Sequence, residues 1–221
     1  MINERLEKWC KEERVICKEQ IGFEKECRPA DHLFVLKTIT DTYNNKGKKV
    51  YACFVDFRKA FDTVWRTGLF YKLIKNNMSL NLVKLIQNMY DKTCCSLKVQ
   101  NGLGRKFQTC RGVQQGCILS PRLFNIFIND IPTLFGRECH PLKLGKESLS
   151  CLMYADDLVM LSESPEGLQK CLNKLKAYTS EWGLQINKEK TKVLIFQRCG
   201  KRTTPTFLFC DLNISIANAK Y

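Results

Sequence analysis

The pattern of apolar and polar positions along the 221-residue chain predicts helices and strands that are mixed without regular alternation. The predicted helices span 3–16 and 32–43, follow Gly68, and begin at Ser79, Ser120 and Ser164. The predicted strands span 51–57, 149–153, 158–161 and 192–196, and an Asn101-Gly102 turn joins a hairpin within 97–110. This mixture indicates an α+β fold, with an antiparallel sheet and helices packed on one of its faces.

Two adjacent acids, Asp156 and Asp157, lie at the turn between the two central predicted strands. Two carboxylates a few ångströms apart repel each other and raise the pKa of one of them, and a bound divalent cation removes that cost. A simple polar turn is the alternative, since Asp is common in turns. The pair alone therefore indicates a metal site without establishing one.

A second acid, Asp56, stands near the end of the strand predicted over 51–57. An acid at one strand end and an acid pair at a neighbouring hairpin can converge on two Mg²⁺ ions, which lie about 3.5–4 Å apart in nucleotidyl-transfer sites. One ion activates the attacking 3′-hydroxyl and the other neutralises charge on the leaving pyrophosphate. Ligands that are all oxygen favour Mg²⁺ over Zn²⁺, with Mn²⁺ as an alternative ion.

The charge of the chain favours a polyanionic partner. The formal net charge is +14, which is typical of proteins that bind nucleic acid, although a solvated basic surface is the alternative. Basic side chains dominate residues 91–122 and 185–221, whereas residues 123–184, which contain the acid pair, carry an acidic excess. A basic rim around an acidic centre is the pattern expected of a nucleic-acid channel with a metal site at its floor.

The 13 cysteines indicate neither a zinc site nor a disulfide framework. No Cys-x-x-Cys pair occurs, and the odd count and the lack of a secretory leader favour a reduced intracellular protein that is not secreted. Cys53, Cys151 and Cys171 lie in apolar patterns and are predicted to be small core residues. No apolar run reaches the length of a membrane span, so no membrane partner is expected.

Five sequence blocks carry a resemblance to a known family. In chain order they are Gly22-Phe23 with Asp31-His32, residues 54–62, residues 112–121 with 123–125, residues 154–157, and residues 183–187 with Lys190-Thr191. With these blocks the chain resembles, over nearly its whole length, the reverse transcriptase domain of non-LTR (LINE-type) retrotransposons. A mobile-intron reverse transcriptase is an alternative, but the run 59–62 and the long stretch from Asp62 to Gly112 favour the LINE type.

The resemblance implies a polymerase palm with part of a fingers subdomain, acting as an RNA-directed DNA polymerase on an RNA template, a DNA primer and deoxynucleoside triphosphates. Such a protein is expected in the nucleus or cytoplasm as a ribonucleoprotein. The implied division is partial fingers in 1–49, the palm strand with the first catalytic acid in 50–66, a connecting segment in 67–110, the palm with the acid hairpin in 111–199, and the start of the primer-grip region in 200–221.

The resemblance also implies roles for the acidic residues. Asp56, Asp156 and Asp157 are the expected catalytic acids and metal ligands, and the backbone carbonyl of Phe57 is a further expected ligand. Asp157 can act mainly through its charge. Asp62 is not expected to bind metal and instead is predicted to cap a helix or to pair with a basic side chain.

Three residues are implied to bind the incoming nucleotide. Phe61 stands where reverse transcriptases hold an aromatic ring that blocks a ribose 2′-hydroxyl, and a core phenylalanine is the alternative. Gln115 and Gly116 are expected to line the nucleotide pocket, because glycine lets the backbone approach a nucleotide closely. A glutamine of an ordinary loop is the alternative for Gln115.

Basic residues are implied around the triphosphate. Lys190 is expected near the leaving pyrophosphate, where it can act as a general acid, and a solvated lysine is the alternative. Arg28 is expected to approach the triphosphate, and Lys59, with its neighbour Arg58, to contact phosphate or template. His32 is interpreted as a structural residue.

Some positions depart from the family pattern. Glu26 stands where glycine is usual and Pro29 where a small hydroxylic residue is usual, and Glu26 adds negative charge beside the expected triphosphate path. The first fingers hairpin and the thumb, normally supplied in cis, are expected to lie outside the chain. These departures leave a second hypothesis, a catalytically inactive remnant that binds nucleic acid with a strong salt dependence.

Overall fold

The computed structural model describes residues 1–91, 93–99, 102–198, 205–209 and 212–217. The helices are α1 (Ile2–Glu12), α2 (Pro29–Asn45), α3 (Ala60–Thr63), α4 (Arg66–Lys75), α5 (Leu80–Asp91), α6 (Ser120–Ile128) and α7 (Pro165–Trp182), with 3₁₀ turns at Ile131–Leu134 and Arg137–Cys139. The strands are β1 (Val50–Val55), β2 (Cys94–Cys95), β3 (Lys98–Val99), β4 (Gly102–Leu103), β5 (Phe107–Gln108), β6 (Leu142–Leu144), β7 (Glu147–Leu149), β8 (Cys151–Tyr154), β9 (Asp157–Ser162), β10 (Lys192–Phe196), β11 (Phe207–Phe209), β12 (Leu212–Ile214) and β13 (Ile216–Ala217).

A five-stranded sheet in the order β13-β10-β1-β9-β8 forms the centre of the molecule. Its central strand β1 pairs antiparallel with β9 and with β10, and β8 pairs antiparallel with β9. The short strand β13 pairs parallel with the outer side of β10. The β8–β9 hairpin, which carries the acid pair, therefore lies at one side of the sheet, next to the strand that leads to Asp56.

The two faces of the sheet are covered by different helices, because successive side chains of a strand point to opposite faces. One face of β1, which includes Cys53 and Val55, packs into the main core with residues of α4, α6 and α7. The other face, which includes Ala52, packs with Leu36 and Ile39 of α2. The predicted α+β class is confirmed, but the expectation that the helices share one face does not hold for α2.

The helix starts that the sequence predicted with serine and proline are found in the structure. α7 begins at Pro165, and the Ser164 hydroxyl accepts a hydrogen bond from the Gly167 backbone N–H at 3.0 Å. α6 begins at Ser120, directly before Pro121, and nearly all of its side chains are buried. Buried residues of both helices pack in the main core with those of β1 and β9.

A hairpin of short strands connects α5 to the segment before α6. Cys95 pairs with Phe107, and farther along Lys98 pairs with Leu103. All four strands of this hairpin carry exposed side chains, so it projects away from the core. The hairpin was predicted, but the position of its turn was wrong, because Gly102 of the predicted Asn-Gly turn pairs with Val99 in β4; residue 101 lies outside the described residues.

The cysteines behave as the sequence analysis predicted. Cys53, Cys151 and Cys171 are fully buried in the main core, and the cysteines that the structure describes are all free. Burial raises the pKa of the Cys53 thiol to about 12, so this thiol stays protonated at neutral pH. In the described part of the chain, no helix is both long enough and apolar enough to cross a membrane.

Candidate active site

Asp56 lies directly beyond the end of β1, where the segment 185–187 extends the pairing. The Asp56 carbonyl accepts a hydrogen bond from the Asn187 N–H at 2.8 Å, and the Arg58 N–H donates to the Gln185 carbonyl at 2.7 Å. The Asp56 N–H also donates to the hydroxyl of Thr191 at 3.3 Å. The last family block of the sequence thus fixes the backbone on both sides of Asp56.

The acid pair occupies the tight turn of the β8–β9 hairpin. Tyr154 pairs with Asp157, so Ala155 and Asp156 are the two loop residues. Ala155 has a φ of 54°, in the left-handed region, which a two-residue hairpin turn requires at its first loop position and which usually selects glycine. An alanine in this backbone conformation is strained, so contacts with neighbouring residues must stabilise it.

The strand register brings the two acid sites together. Val55 of β1 lies opposite Leu158 of β9, so the next residues along, Asp56 and Asp157, are neighbours across the strand ends. The pKa of Asp157 is raised above its ordinary value, first by burial and then by the charges of Asp156 and Asp56. The strand register therefore brings Asp56 close to the turn that carries Asp156 and Asp157.

The oxygen ligands at these strand ends suit a hard divalent cation. No group of three or more His, Cys, Asp or Glu side chains within the described ranges is arranged to hold a metal ion by itself. Mg²⁺ is usually held by only one or two carboxylates, together with water and substrate phosphates. The half-exposed carboxylates of Asp56 and Asp156 match that type of site.

Phe57 lies between the two residues that pair the end of β1 with the segment 185–187. The pairing with the segment 185–187 uses the Asp56 carbonyl and the Arg58 N–H and passes over Phe57 itself. Because successive carbonyls of an extended strand point in opposite directions, the Phe57 carbonyl points away from this segment, to the side where β9 lies. Its side chain is buried in the main core.

Phe61 lies between the core and an open cavity of about 530 Å³. Its ring stacks on the buried ring of Phe124 in α6, with centroids 4.7 Å apart and an interplanar angle of 21°. The same residue lines the cavity with Gln115, Gly116 and Ile118. Both interpretations from the sequence thus describe part of its surroundings: Phe61 is anchored on the core and also borders the cavity.

Gln115 uses its side chain within the protein. Its amide N–H donates to the Asp62 carboxylate at 2.9 Å, and both residues are exposed. The prediction for Asp62 is therefore wrong in its partner, which is an amide rather than a basic side chain or a helix end. Gly112 packs closely on the backbone of Asp62, because a Cβ there would lie 2.8 Å from the Asp62 carbonyl oxygen.

The three predicted basic residues, Arg28, Lys59 and Lys190, are exposed. Lys59 precedes α3 with a φ of 49°, and Arg28 precedes α2, where its backbone N–H donates to the Asp31 carboxylate at 2.7 Å. The backbone N–H of Lys190 donates to the Asn187 side chain at 3.4 Å. Among the described residues, no ion pair joins these cations to Asp56, Asp156 or Asp157.

Three residues of the site had no role assigned from the sequence. Thr191 supports Asp56, Gln20 hydrogen-bonds the acid turn, and Asn125 of α6 hydrogen-bonds the loop that holds Gln20. All three lie in or beside the family blocks, and this position in the sequence could have indicated a role in the site. His32 binds the carbonyls of Glu19 and Met153 at 3.0 and 3.1 Å, in agreement with its structural interpretation.

Comparison with known proteins agrees with these motifs. The family model described as reverse transcriptase (RNA-dependent DNA polymerase) matches residues 1–210. The Pol polyprotein of the type-1 retrotransposable element R2 from Nasonia vitripennis is 31% identical over 172 residues, covering 78% of this chain and 17% of that protein. The RNA-directed DNA polymerase of the mobile element jockey from Drosophila funebris is 30% identical over 203 residues, covering 83% and 20%. The chain thus spans about a fifth of these relatives' length.

Solved structures give the same fold. Apo telomerase from Candida tropicalis, truncated from its C-terminal domain, has a TM-score of 0.67 and 16% sequence identity, covering 96% of this chain and 42% of that one. This likeness concerns the fold alone and supports the predicted polymerase architecture. With the family match over residues 1–210, the resemblance seen in the sequence blocks is confirmed, and the chain belongs to the reverse transcriptase (RNA-dependent DNA polymerase) family.

Proposed function

We propose that this chain forms the palm of an RNA-directed DNA polymerase, with part of its fingers, and adds deoxynucleotides to a primer 3′-hydroxyl on an RNA template. The observation that carries the proposal is the approach of Asp56 to the Asp156-Asp157 turn at adjacent strand ends. The family match supports the reaction class.

In this proposal Asp56, Asp156, Asp157 and the Phe57 carbonyl hold two Mg²⁺ ions, for which Mn²⁺ can substitute. Bound ions of this kind activate the attacking hydroxyl and neutralise charge on the leaving pyrophosphate. The contribution of the chain itself is to hold the carboxylates at fixed strand ends before the substrate arrives, so that little reorganisation is needed during the reaction.

The cavity beside Phe61 is the proposed nucleotide pocket. The Phe61 ring, held by its stacking on Phe124, obstructs a ribose 2′-hydroxyl and so selects deoxynucleotides. Gln115 and Gly116 form the wall next to it. The Gln115 amide is already hydrogen-bonded to Asp62, so its proposed role is to shape the wall.

The basic residues are proposed to bind phosphates and nucleic acid. Arg28 and Lys59 contact phosphate groups, and Lys190 stands near the leaving pyrophosphate. The exposure of all three and the net charge of +14 support an RNA template and a DNA primer as partners, in a nuclear or cytoplasmic ribonucleoprotein. The proposed division of the chain is 1–49, 50–66, 67–110, 111–199 and 200–221, as the resemblance implies.

Primer extension tests the proposal. Deoxynucleotide incorporation on a primed RNA template is measured with Mg²⁺ for the wild-type chain, for Asp156→Asn/Asp157→Asn, and for Asp41→Asn as a matched control. Asp41 is an exposed acid of α2 that pairs with Lys37, so its substitution makes the same chemical change far from the turn. Extension by the wild type and the control, but not by the double variant, is the expected result.

Circular dichroism and fluorescence anisotropy on the same samples separate folding and binding from chemistry. A folded wild-type chain that binds the primed template and extends nothing would contradict the proposed activity. Such a chain would instead match the hypothesis of a remnant that only binds nucleic acid. Equal extension by the double variant would show that the proposed acids are not the catalytic ones.

A further inference from the structure

The segment Glu19–Gly22 lies along β8, the outer strand of the acid hairpin. The Met153 N–H donates to the Glu19 carbonyl at 2.8 Å, and the Ile21 N–H donates to the Met153 carbonyl at 3.0 Å, so the segment pairs with β8 in parallel. His32 hydrogen-bonds the carbonyls of Glu19 and Met153 from α2. The outer side of the acid hairpin is thus covered by a short length of chain far from it in sequence.

Within this segment, the side chain of Gln20 binds the acid turn directly. Its amide N–H donates to the Ala155 carbonyl at 3.0 Å, and its amide oxygen accepts from the Ala155 N–H at 2.9 Å. The same oxygen accepts from the Gly22 N–H at 2.9 Å. Gln20 is only 2% exposed, so its amide satisfies both backbone groups of Ala155 in a place that water does not reach freely.

Ala155 is the residue of the turn that needs this support. Its φ of 54° places it in a conformation that residues with a Cβ rarely adopt, and such conformations persist where the surroundings hold them. Asp156, an expected metal ligand, is the next residue. A change in the backbone of Ala155 therefore moves the carboxylate of Asp156.

The loop that carries Gln20 is itself held tightly. A Cβ on Gly22 would lie 2.1 Å from the Ala155 backbone nitrogen, so only glycine allows the two backbones to approach this closely. The Asn125 amide N–H, from the fully buried side chain of Asn125 in α6, donates to the Gly22 carbonyl at 2.6 Å. Contacts thus connect α6 through Gly22 and Gln20 to the acid turn.

We infer that Gln20 is a positioning residue for the candidate active site: its buried amide holds Ala155 in the left-handed conformation and thereby sets the position of the Asp156 carboxylate. The inference rests on the proposed function, which makes Asp156 a metal ligand. Gln20 does not contact metal or substrate. Residues that orient metal ligands in this way typically change metal affinity or activity by about 10- to 100-fold when they are replaced.

The test compares Mn²⁺ affinity, from the electron paramagnetic resonance signal of free Mn²⁺, in the wild-type chain and in Gln20→Met. Methionine has a similar length and no amide, so both hydrogen bonds to Ala155 are lost. Thr179→Val is the matched control, because it removes a side-chain hydrogen bond of a buried residue, from the Thr179 hydroxyl to the Lys176 carbonyl at 3.0 Å, within α7. The expected result is a loss of about 10- to 100-fold in Gln20→Met and no loss in the control.

A second substitution separates positioning from general stability. Glycine adopts a positive φ without strain, so Ala155→Gly added to Gln20→Met should recover at least part of the lost affinity. Hydrogen exchange at the Ala155 amide is measured in parallel, and it should become faster in Gln20→Met, since this N–H loses its acceptor. A purely structural role for Gln20 would lower the melting temperature without changing Mn²⁺ affinity in the folded protein.

The outcomes distinguish this inference from the proposed function. Equal Mn²⁺ affinity in the folded wild-type and Gln20→Met chains would overturn the inference alone. An absence of Mn²⁺ binding by the wild-type chain would overturn the proposed metal role, and this inference with it. Loss in Gln20→Met with recovery by Ala155→Gly would support both.

Discussion

The carboxylate side and the nucleotide side of the candidate active site are built differently, and two glutamines show the contrast. Gln20 is buried and makes three hydrogen bonds around the acid turn. Gln115, beside the cavity, is exposed and makes one hydrogen bond to an exposed carboxylate. Leaving a buried polar group without its partner costs about 1–3 kcal/mol, whereas an exposed group exchanges its partner for water.

The molecule fixes the geometry of the carboxylate side before any ligand binds. Asp56 and Asp157 are set by strand register, and Asp156 by a turn that buried contacts hold. The cavity is lined by the stacked ring of Phe61, by exposed loop residues such as Gln115, and by the start of α6. Groups that stabilise a transition state electrostatically contribute most when the fold holds them in place before the reaction.

The largest effect is expected from breaking the carboxylate side at its turn. Asp156→Asn should lower primer extension by at least about 100-fold, because one of the carboxylates proposed to hold the metal ions is lost. The melting temperature should stay the same or rise, since repulsion within the acid group is relieved. Gel-based extension and a thermal melt measure the two effects. Retention of more than about a tenth of the activity would contradict the assignment of Asp156.

On the nucleotide side, the next effect concerns selectivity rather than rate. Phe61→Val removes the ring that borders the cavity, so the preference for deoxynucleotides over ribonucleotides should fall by about 10-fold or more. The measurement is the ratio of kcat/KM for the two substrates. Phe107→Val, on the exposed hairpin, is the matched control and should leave the ratio unchanged. An unchanged ratio in Phe61→Val would show that Phe61 only packs in the core and does not select deoxynucleotides.

A smaller effect is expected from pH. The pKa of Asp157 is raised above its ordinary 3.8 by burial and by the charges of Asp156 and Asp56. In the window between 3.8 and the raised value, the folded chain binds more protons than the unfolded chain, so this group adds stability as the pH falls through that window.

The pH effect is measured as a difference between two chains. Urea unfolding without divalent metal, for the wild type and for Asp157→Asn, should show the wild type gaining stability relative to the variant as the pH falls from neutrality. The same protons should compete with Mn²⁺ for the acids and weaken its binding. A difference that is independent of pH would mean that the pKa of Asp157 is not raised in the folded chain.

The smallest effect is expected at Gln115. Gln115→Ala removes an exposed hydrogen bond, so the free energy of unfolding should change by no more than about 0.5 kcal/mol. KM for the nucleotide should rise modestly, with kcat nearly constant, because the wall of the cavity changes and the acids do not. Steady-state kinetics checks this. A loss of kcat/KM of about 10- to 100-fold, the size of the loss of Mn²⁺ affinity expected for Gln20→Met, would contradict the contrast between the carboxylate side and the nucleotide side.

Local sequence patterns predicted the elements around the acids well. The strand predicted over 192–196 is found as Lys192–Phe196, and the Ser164-Pro165 start of α7 is correct, because alternation and capping are local properties. The helix predicted over 3–16 ends earlier, at Glu12, since the chain turns and Arg14 takes a φ of 48°.

The contacts that complete the site could not be predicted in this way. Gln20 meets Ala155 across 135 positions of sequence, and Gln115 meets Asp62 across 53. Helical spacing indicates which face of α2 is buried but not which face of the sheet it covers. The hypothesis of a metal site at the acids could be made from the sequence, because like charges at strand ends repel each other unless a cation binds them. Their supporting partners depend on the tertiary structure.

The most direct test of the central claim is an anomalous diffraction map of crystals of this chain soaked with Mn²⁺ and a deoxynucleoside triphosphate. Anomalous peaks are expected within about 2.2 Å of carboxylate oxygens of Asp56 and Asp156, the range of Mg²⁺-type coordination. Asp156→Asn crystals should lose at least one of these peaks. Peaks confined to other acids, or none at the acid turn in an otherwise ordered structure, would contradict the claim that these carboxylates form the metal site.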